Sequence, residues 1–264
     1  MEGFLTLLSD AIWATAWEGN PPPAYGVFHL SFVAIGSFVS IVAAKKLQHL
    51  NEKGNRILLF SIGLFLALSE VYKQLFYIFV ISPNGYPWWI FPFQLCSIPM
   101  YLCLIAPLLK PGPVQQSIYS FMMLYNLLGG AIAFTEPSGL LHSYITLTAH
   151  SMIWHMLLVF LGFYLLFSGR GGRDIRDYRR ATCTFLCLCV IAFCINVLFR
   201  DISNGSINMF FIGPSDSSLI VFKQISQAFG WYVSTAIYIP AVCLGSYIIF
   251  RLIHIITKNK AAKA

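Results

Sequence analysis

Phe91-Pro92-Phe93-Gln94-Leu95-Cys96-Ser97-Ile98-Pro99-Met100-Tyr101 lies in an apolar run, yet it carries an amide, a thiol and a hydroxyl bracketed by two prolines. Read as a bilayer span, the stretch has a break built in. Pro99 lacks an N–H, so in a continuous helix the carbonyl of Leu95 would lose its partner. Lipid offers no replacement, so this face must turn toward protein or a wet cavity. Free cysteine usually packs as a small apolar side chain, whereas a reactive thiol needs an activating environment. Both readings of Cys96 stand at this stage.

The rest of the chain supports the bilayer reading. Of its 264 residues 58% are hydrophobic and only 10% charged, where a soluble domain carries about 25% charged residues. The expectation is an all-α, polytopic integral membrane protein forming one domain over 1–264. The net charge of +7 falls in short clusters beside apolar spans, a topology signature rather than a nucleic-acid surface. The stretch 1–18 has no basic n-region and carries Glu2, Asp10 and Glu18. It reads as an interfacial lead-in rather than a cleavable signal. The seven cysteines all lie in apolar stretches, which fits neither a disulfide framework nor a paired zinc motif. No metal and no cofactor are expected.

Seven spans follow from hydropathy, at 27–44, 57–81, 88–109, 115–135, 147–168, 180–199 and 229–250. Lys45, Lys46, Lys53 and Arg56, then Lys110, then Arg170, Arg173, Arg176, Arg179 and Arg180, then Arg251, Lys258, Lys260 and Lys263 occupy alternate connections. The other connections hold only Arg200 and Lys223. The positive-inside rule therefore predicts an outer N-terminus and a cytoplasmic C-terminus, as an odd number of spans requires. Short cytoplasmic loops point to a bacterial plasma membrane.

Ionisable and polar groups within spans are functional candidates. Glu70, Lys73, Cys96, Asn126 and His155 fall at one depth, roughly 12–16 Å below the outer surface at 1.5 Å per helical residue. Gln74 and Gln94 flank that layer, and His150, Asn196 and His29 lie nearer the outer face. Glu70 and Lys73 also suit a self-neutralising ion pair, and Asn126 beside Gly129-Gly130 suits a helix bridge. His150 and His155 are five apart and do not share a face as metal ligands would. A thiol with an imidazole at matched depth is the minimal activated nucleophile. The same layer suits a permease for a small polar solute, or a lipid-binding membrane protein without turnover.

The order of motifs resembles that of the bacterial YwaF-type integral membrane proteins and the eukaryotic transmembrane protein 164 acyltransferases. Pro92-Phe93-Gln94-Leu95-Cys96 resembles the family's Pro-x-His/Gln-Leu-Cys, and Trp154-His155-Met156-Leu157 with Tyr164-Leu165-Leu166 resembles its His-x-x-Leu…Tyr-Leu-Leu helix. His29-Leu30, Glu70 near Lys73, Asn196, Asn208 and Gly230-Trp231-Tyr232 fall in the same order. The resemblance implies a seven-helix enzyme that moves a fatty acyl chain between glycerophospholipids, with Cys96 as nucleophile and His155 as base. Glu70, Lys73, Gln94, Asn126, His150 and Asn196 would support the cavity or bind substrate. Gln94 stands where many relatives have His, so a second proton-transfer role there is not carried over.

Overall fold

Buried positions Asn55, Leu59, Gly63, Leu66 and Glu70 recur every three or four residues along Glu52–Phe76, one stripe of a helix that packs inward and leaves its other faces to lipid. That pattern repeats throughout the computed structural model, which describes residues 2–261. The helices are α1 (Glu2–Trp13), α2 (Val27–Leu47), α3 (Glu52–Phe76), α4 (Ile98–Ile105), α5 (Pro113–Thr135), α6 (Ile145–Phe167), α7 (Ile175–Leu198), α8 (Ile220–Phe229) and α9 (Trp231–Ala261). Among the described residues there is no strand, and 6 helices are long and apolar enough to cross a membrane. These are α2, α3 with its π-helical extension Tyr77–Ile81, α5, α6, α7 and α9. The protein is an integral membrane protein.

The expected third span, 88–109, is not a continuous helix. It consists of a short 3-10 turn at Trp88–Ile90, non-helical backbone through Ser97, then α4 and a closing 3-10 turn Ala106–Leu108. Pro87, Pro92 and Pro99 explain the outcome, since a proline and the residue before it resist the helix interior. Pro99 does not kink a helix from within. It occupies the first turn of α4, where a missing N–H costs nothing. The segment nonetheless runs the length of α3: Ile90 meets Gln74 at one end, and Pro107 and Leu108 meet Arg56 and Ile57 at the other.

The connection 200–228, expected to lie outside the membrane, is also corrected. Residues 207–212 fold into the bundle, with Ile207, Met209, Phe210 and Ile212 buried in the same core cluster as α5 and α7. Phe210 is fully buried at φ 57°, stacked on Phe93 and Phe185 at 5.9 and 6.3 Å. A bulky residue rarely holds a left-handed backbone, so packing on both sides must fix it.

The basic end is closed tightly. Asn55 donates to the Tyr119 hydroxyl (3.0 Å) and accepts from that of Tyr164 (2.9 Å). Arg170 donates to the Leu50 carbonyl and to Glu52, at 2.8 and 3.0 Å. At the opposite end α1 lies across α3 and α6 through Thr15, which bonds the Tyr72 hydroxyl and, by its carbonyl, Thr146.

Small residues let α5 and α6 approach closely. A Cβ on Gly162 would stand 2.5 Å from Leu127 Cγ and 3.2 Å from the Met123 carbonyl. Gly162→Ala should therefore destabilise the bundle by about 1–3 kcal/mol, read as a lower midpoint of thermal unfolding in detergent. An unchanged midpoint would show that the α5–α6 contact has slack.

Candidate active site at the broken crossing

Where 88–97 leaves the helical path its backbone groups need other partners, and those partners define the site. Gln94 uses both ends of its amide: Nε2 donates to the Asn208 carbonyl (3.0 Å) and Oε1 accepts from the Phe210 N–H (3.0 Å). From the other side Asn196 does the same to Met209, donating to its carbonyl at 2.9 Å and accepting its N–H at 2.6 Å. The backbone of 208–210 is thus bonded on both edges by side-chain amides, as a strand is by its neighbours. Asn208 finishes the loop by accepting from the Gly213 N–H (2.8 Å).

Two residues after Gln94 comes Cys96, half-buried. Its carbonyl accepts the indole N–H of Trp154 at 2.9 Å. The carbonyl rescued by a side chain is therefore that of Cys96, one residue beyond the one the proline argument pointed to. The helix starts at Ile98 with Ser97 as its N-cap. Cys96 thus lies one residue before the N-cap of α4, whose first N–H groups lack intrahelical partners. Cys96 packs on Leu66, Met100, Trp154 and Leu158.

The two histidines flank that indole. His150, one turn before Trp154, stacks on it with ring centroids 5.5 Å apart, and both of its ring nitrogens are buried without a hydrogen bond. His155 follows Trp154 directly and is therefore rotated about 100° around α6. Its Nδ1 bonds the Ser151 carbonyl at 2.8 Å. A carbonyl only accepts, so Nδ1 carries the proton and Nε2 keeps the lone pair of a base. His155 packs edge-on to Phe134, 6.4 Å away, and is not hydrogen-bonded to the Cys96 thiol.

Glu70 and Lys73 form the ion pair anticipated for them, Nζ to Oε1 at 2.8 Å. Gln74 donates to the same Oε1 (2.6 Å) and to the Ile90 carbonyl (2.9 Å), and its own oxygen accepts from Tyr86 (2.7 Å). Burial and the Glu70 carboxylate push the Tyr86 phenol up to about 12, so it remains a donor. Glu70 Oε2 is buried and without a partner. This cluster closes the head of a groove of about 320 Å³ between α3 and α4, walled by Ala67, Val71, Leu75, Pro92, Met100 and Tyr101. Asn126, 3% exposed, has its Nδ2 buried without a partner. Outside the spans, His142 bonds the Ser151 hydroxyl at 3.2 Å, and burial lowers its pKa from the usual histidine value.

The expected residues thus divide. Glu70 and Lys73 pair beside Gln74, Cys96 and His150 meet Trp154, and His155 turns to Ser151 and Phe134. Gln94 and Asn196 are committed to the 208–210 backbone. The sequence alone places Gln74 beside the polar layer, whereas it assigns Trp154 and Tyr86 no functional role. An indole N–H deep in an apolar span must find an acceptor, and that signal marks Trp154 beside a broken crossing. Among the described residues no three His, Cys, Asp or Glu side chains could hold a metal ion.

The described helices define a polytopic helical integral membrane protein. Comparison with known proteins narrows the class: the TMEM164 family matches residues 24–250, and the chain belongs to that family. No curated protein and no solved structure matches it.

The amide clamp makes a testable demand. Gln94→Leu or Asn196→Leu would orphan the N–H of Phe210 or of Met209, at about 1–3 kcal/mol, while the Asn208 and Met209 carbonyls keep a turn bond. Both variants should unfold at lower temperature and become cleavable by protease within 207–213. Wild-type resistance in both would mean that the packing of Phe210 alone holds the loop.

Proposed function

We propose that the protein is a membrane acyltransferase that moves a fatty acyl chain between glycerophospholipids by way of a thioester on Cys96, with His155 as the base. The observation that carries this reading is the setting of Cys96: its carbonyl is bonded by the residue adjacent to His155, and it lies one residue before the N-cap of α4. The TMEM164 membership supports it. In the first half-reaction His155 Nε2 takes the thiol proton and Sγ attacks the ester carbonyl carbon. The carbonyl electrons move onto oxygen, then return as the ester C–O bond breaks. The departing alkoxide takes the proton from His155 and leaves as a lysophospholipid. A hydroxyl of the acceptor reverses these steps, giving its proton to His155 and releasing the thiolate.

In this reading seven crossings, one of them broken, set the N-terminus outside and the C-terminus in the cytoplasm. The site then lies at outer-leaflet depth, where lipid ester carbonyls are found, and the membrane is a bacterial plasma membrane. The groove between α3 and α4 admits a lipid sideways, since its walls are apolar except at Glu70 and Gln74. Glu70 and Lys73 hold that polar head, and His150 extends it along α6.

The broken crossing also favours a second reading, a permease for a small polar solute, because discontinuous helices build transporter sites. Intact mass separates the two. Purified protein given a phospholipid mixture should gain an acyl-sized mass that hydroxylamine removes and Cys96→Ala lacks. In His155→Ala the adduct should form about 10²–10⁴-fold more slowly. Absence of any adduct on wild type after rapid quench, with solute uptake that survives Cys96→Ala, would establish the permease instead. Saturable lipid binding with neither adduct nor uptake would leave a non-catalytic binding protein.

A further inference from the structure

The stripe of α5 that faces the broken crossing can be followed residue by residue. Gln115 donates to the Ala106 carbonyl at 3.0 Å. Two turns on, Met122 Sδ lies 3.8 Å from Cys103 Sγ. The two segments are thus antiparallel, and each step up α5 is a step back along α4 toward its start. One more turn leads from Met122 to Asn126 on α5, and from Cys103 to Pro99 in the first turn of α4. The turn after that reaches Gly130, where a Cβ would meet Val159 and stand 3.6 Å from the His155 carbonyl. Successive positions four apart advance about 40° around a helix. Asn126 therefore lies between the position that touches α4 and the one that touches α6, facing the seam that the Trp154–Cys96 bond closes.

Asn126 is 97% buried, and its Nδ2 has no hydrogen-bond partner. A buried amide without a partner costs stability, and such an exception marks a place where something else supplies the acceptor. Opposite it, the first turn of α4 presents the Ile98 N–H, which as the first helical residue has no intrahelical acceptor. The Pro99 beside it contributes no donor. Asn126 Nδ2 and the Ile98 N–H are thus donors on two different helices at the level where α4 starts, two residues after Cys96. What fits there is an oxygen carrying negative charge, bonded to a carbon that is itself bonded to Sγ.

We propose that Asn126 is a catalytic residue whose Nδ2, together with the Ile98 N–H, forms the oxyanion site for the tetrahedral intermediate at Cys96. The assignment rests on the acyl-transfer reading. As Sγ bonds the ester carbon and the carbonyl electrons move onto oxygen, the two N–H groups take up that charge. They release it when the C–O bond breaks.

The test is Asn126→Leu, which keeps the side chain's size and removes its donors, with Asn126→Ala in reserve should the leucine fail to fold. Three quantities are compared with wild type: thermal midpoint, the rate at which a maleimide alkylates Cys96, and the rate of acyl-enzyme formation from phospholipid by quenched intact mass. The expected result is an unchanged or higher midpoint, unchanged alkylation, and acylation slowed about 10²–10³-fold at saturating lipid. A helix-bridging role would instead lower the midpoint, and that outcome overturns the assignment. So does acylation within about threefold of wild type, well short of the loss expected for an oxyanion donor. If acylation and alkylation fall together, Asn126 places the thiol rather than the oxyanion, and the assignment is again overturned. Wild-type protein that acylates while the variant acylates equally removes the oxyanion role alone. Wild-type protein that never acylates removes the transfer reading and this role with it.

Discussion

A peptide group inside a bilayer must find its hydrogen bond within the protein, and this chain has two stretches there that are not helical. Each meets the demand with side chains. The 208–210 backbone is bonded along one edge by Gln94 and along the other by Asn196. The carbonyl of Cys96 is bonded by Trp154. Remove these three polar side chains and neither irregular segment has a reason to stay at that depth. Cys96 would then lose its place just before α4.

Buried polar groups are satisfied unevenly across the bundle. At the basic end, Asn55 between Tyr119 and Tyr164 has its donor and acceptor both bonded, which suits a part that only holds helices together. Around Cys96 the accounting is left open at Glu70 Oε2, Asn126 Nδ2 and both nitrogens of His150. Buried polar groups without partners lower stability. Others lie away from the thiol, at Arg170 Nε, His29 Nε2 and the Ser246 hydroxyl, so an orphaned atom alone does not mark the site. Hydrogen bonding also gives His155 one tautomer, with the lone pair on Nε2.

Much of this was legible in the residues. Apolar runs located the six helices long and apolar enough to cross a membrane to within six residues at each end, because hydropathy is a property of composition and length. The break at 88–97 was visible in its prolines. The backbone path was not, since the proline effect was placed within a helix that in fact begins one residue before Pro99. The 207–212 fold into the core was hidden for a different reason. Its polar neighbours look like an extramembrane loop, and only pairing with Gln94 and Asn196, distant in sequence, makes it buriable. Glu70 and Lys73 declared their ion pair by spacing alone. Trp154 went unremarked because an indole in an apolar span passes for packing until a free carbonyl appears beside it.

The setting of the thiol also imposes an order on biosynthesis. Cys96 is made with the irregular segment 88–97, but Trp154 arrives 58 residues later, and the Asn208 carbonyl that Gln94 holds arrives 114 residues after Gln94. Chains grow from the N-terminus, so the first crossings are laid down well before the loop exists. During that interval the cysteine is an ordinary thiol on an unanchored segment. Its surroundings are complete only once 208–210 has slid between the two amides, so the same loop that completes the bundle also times the maturation of the site.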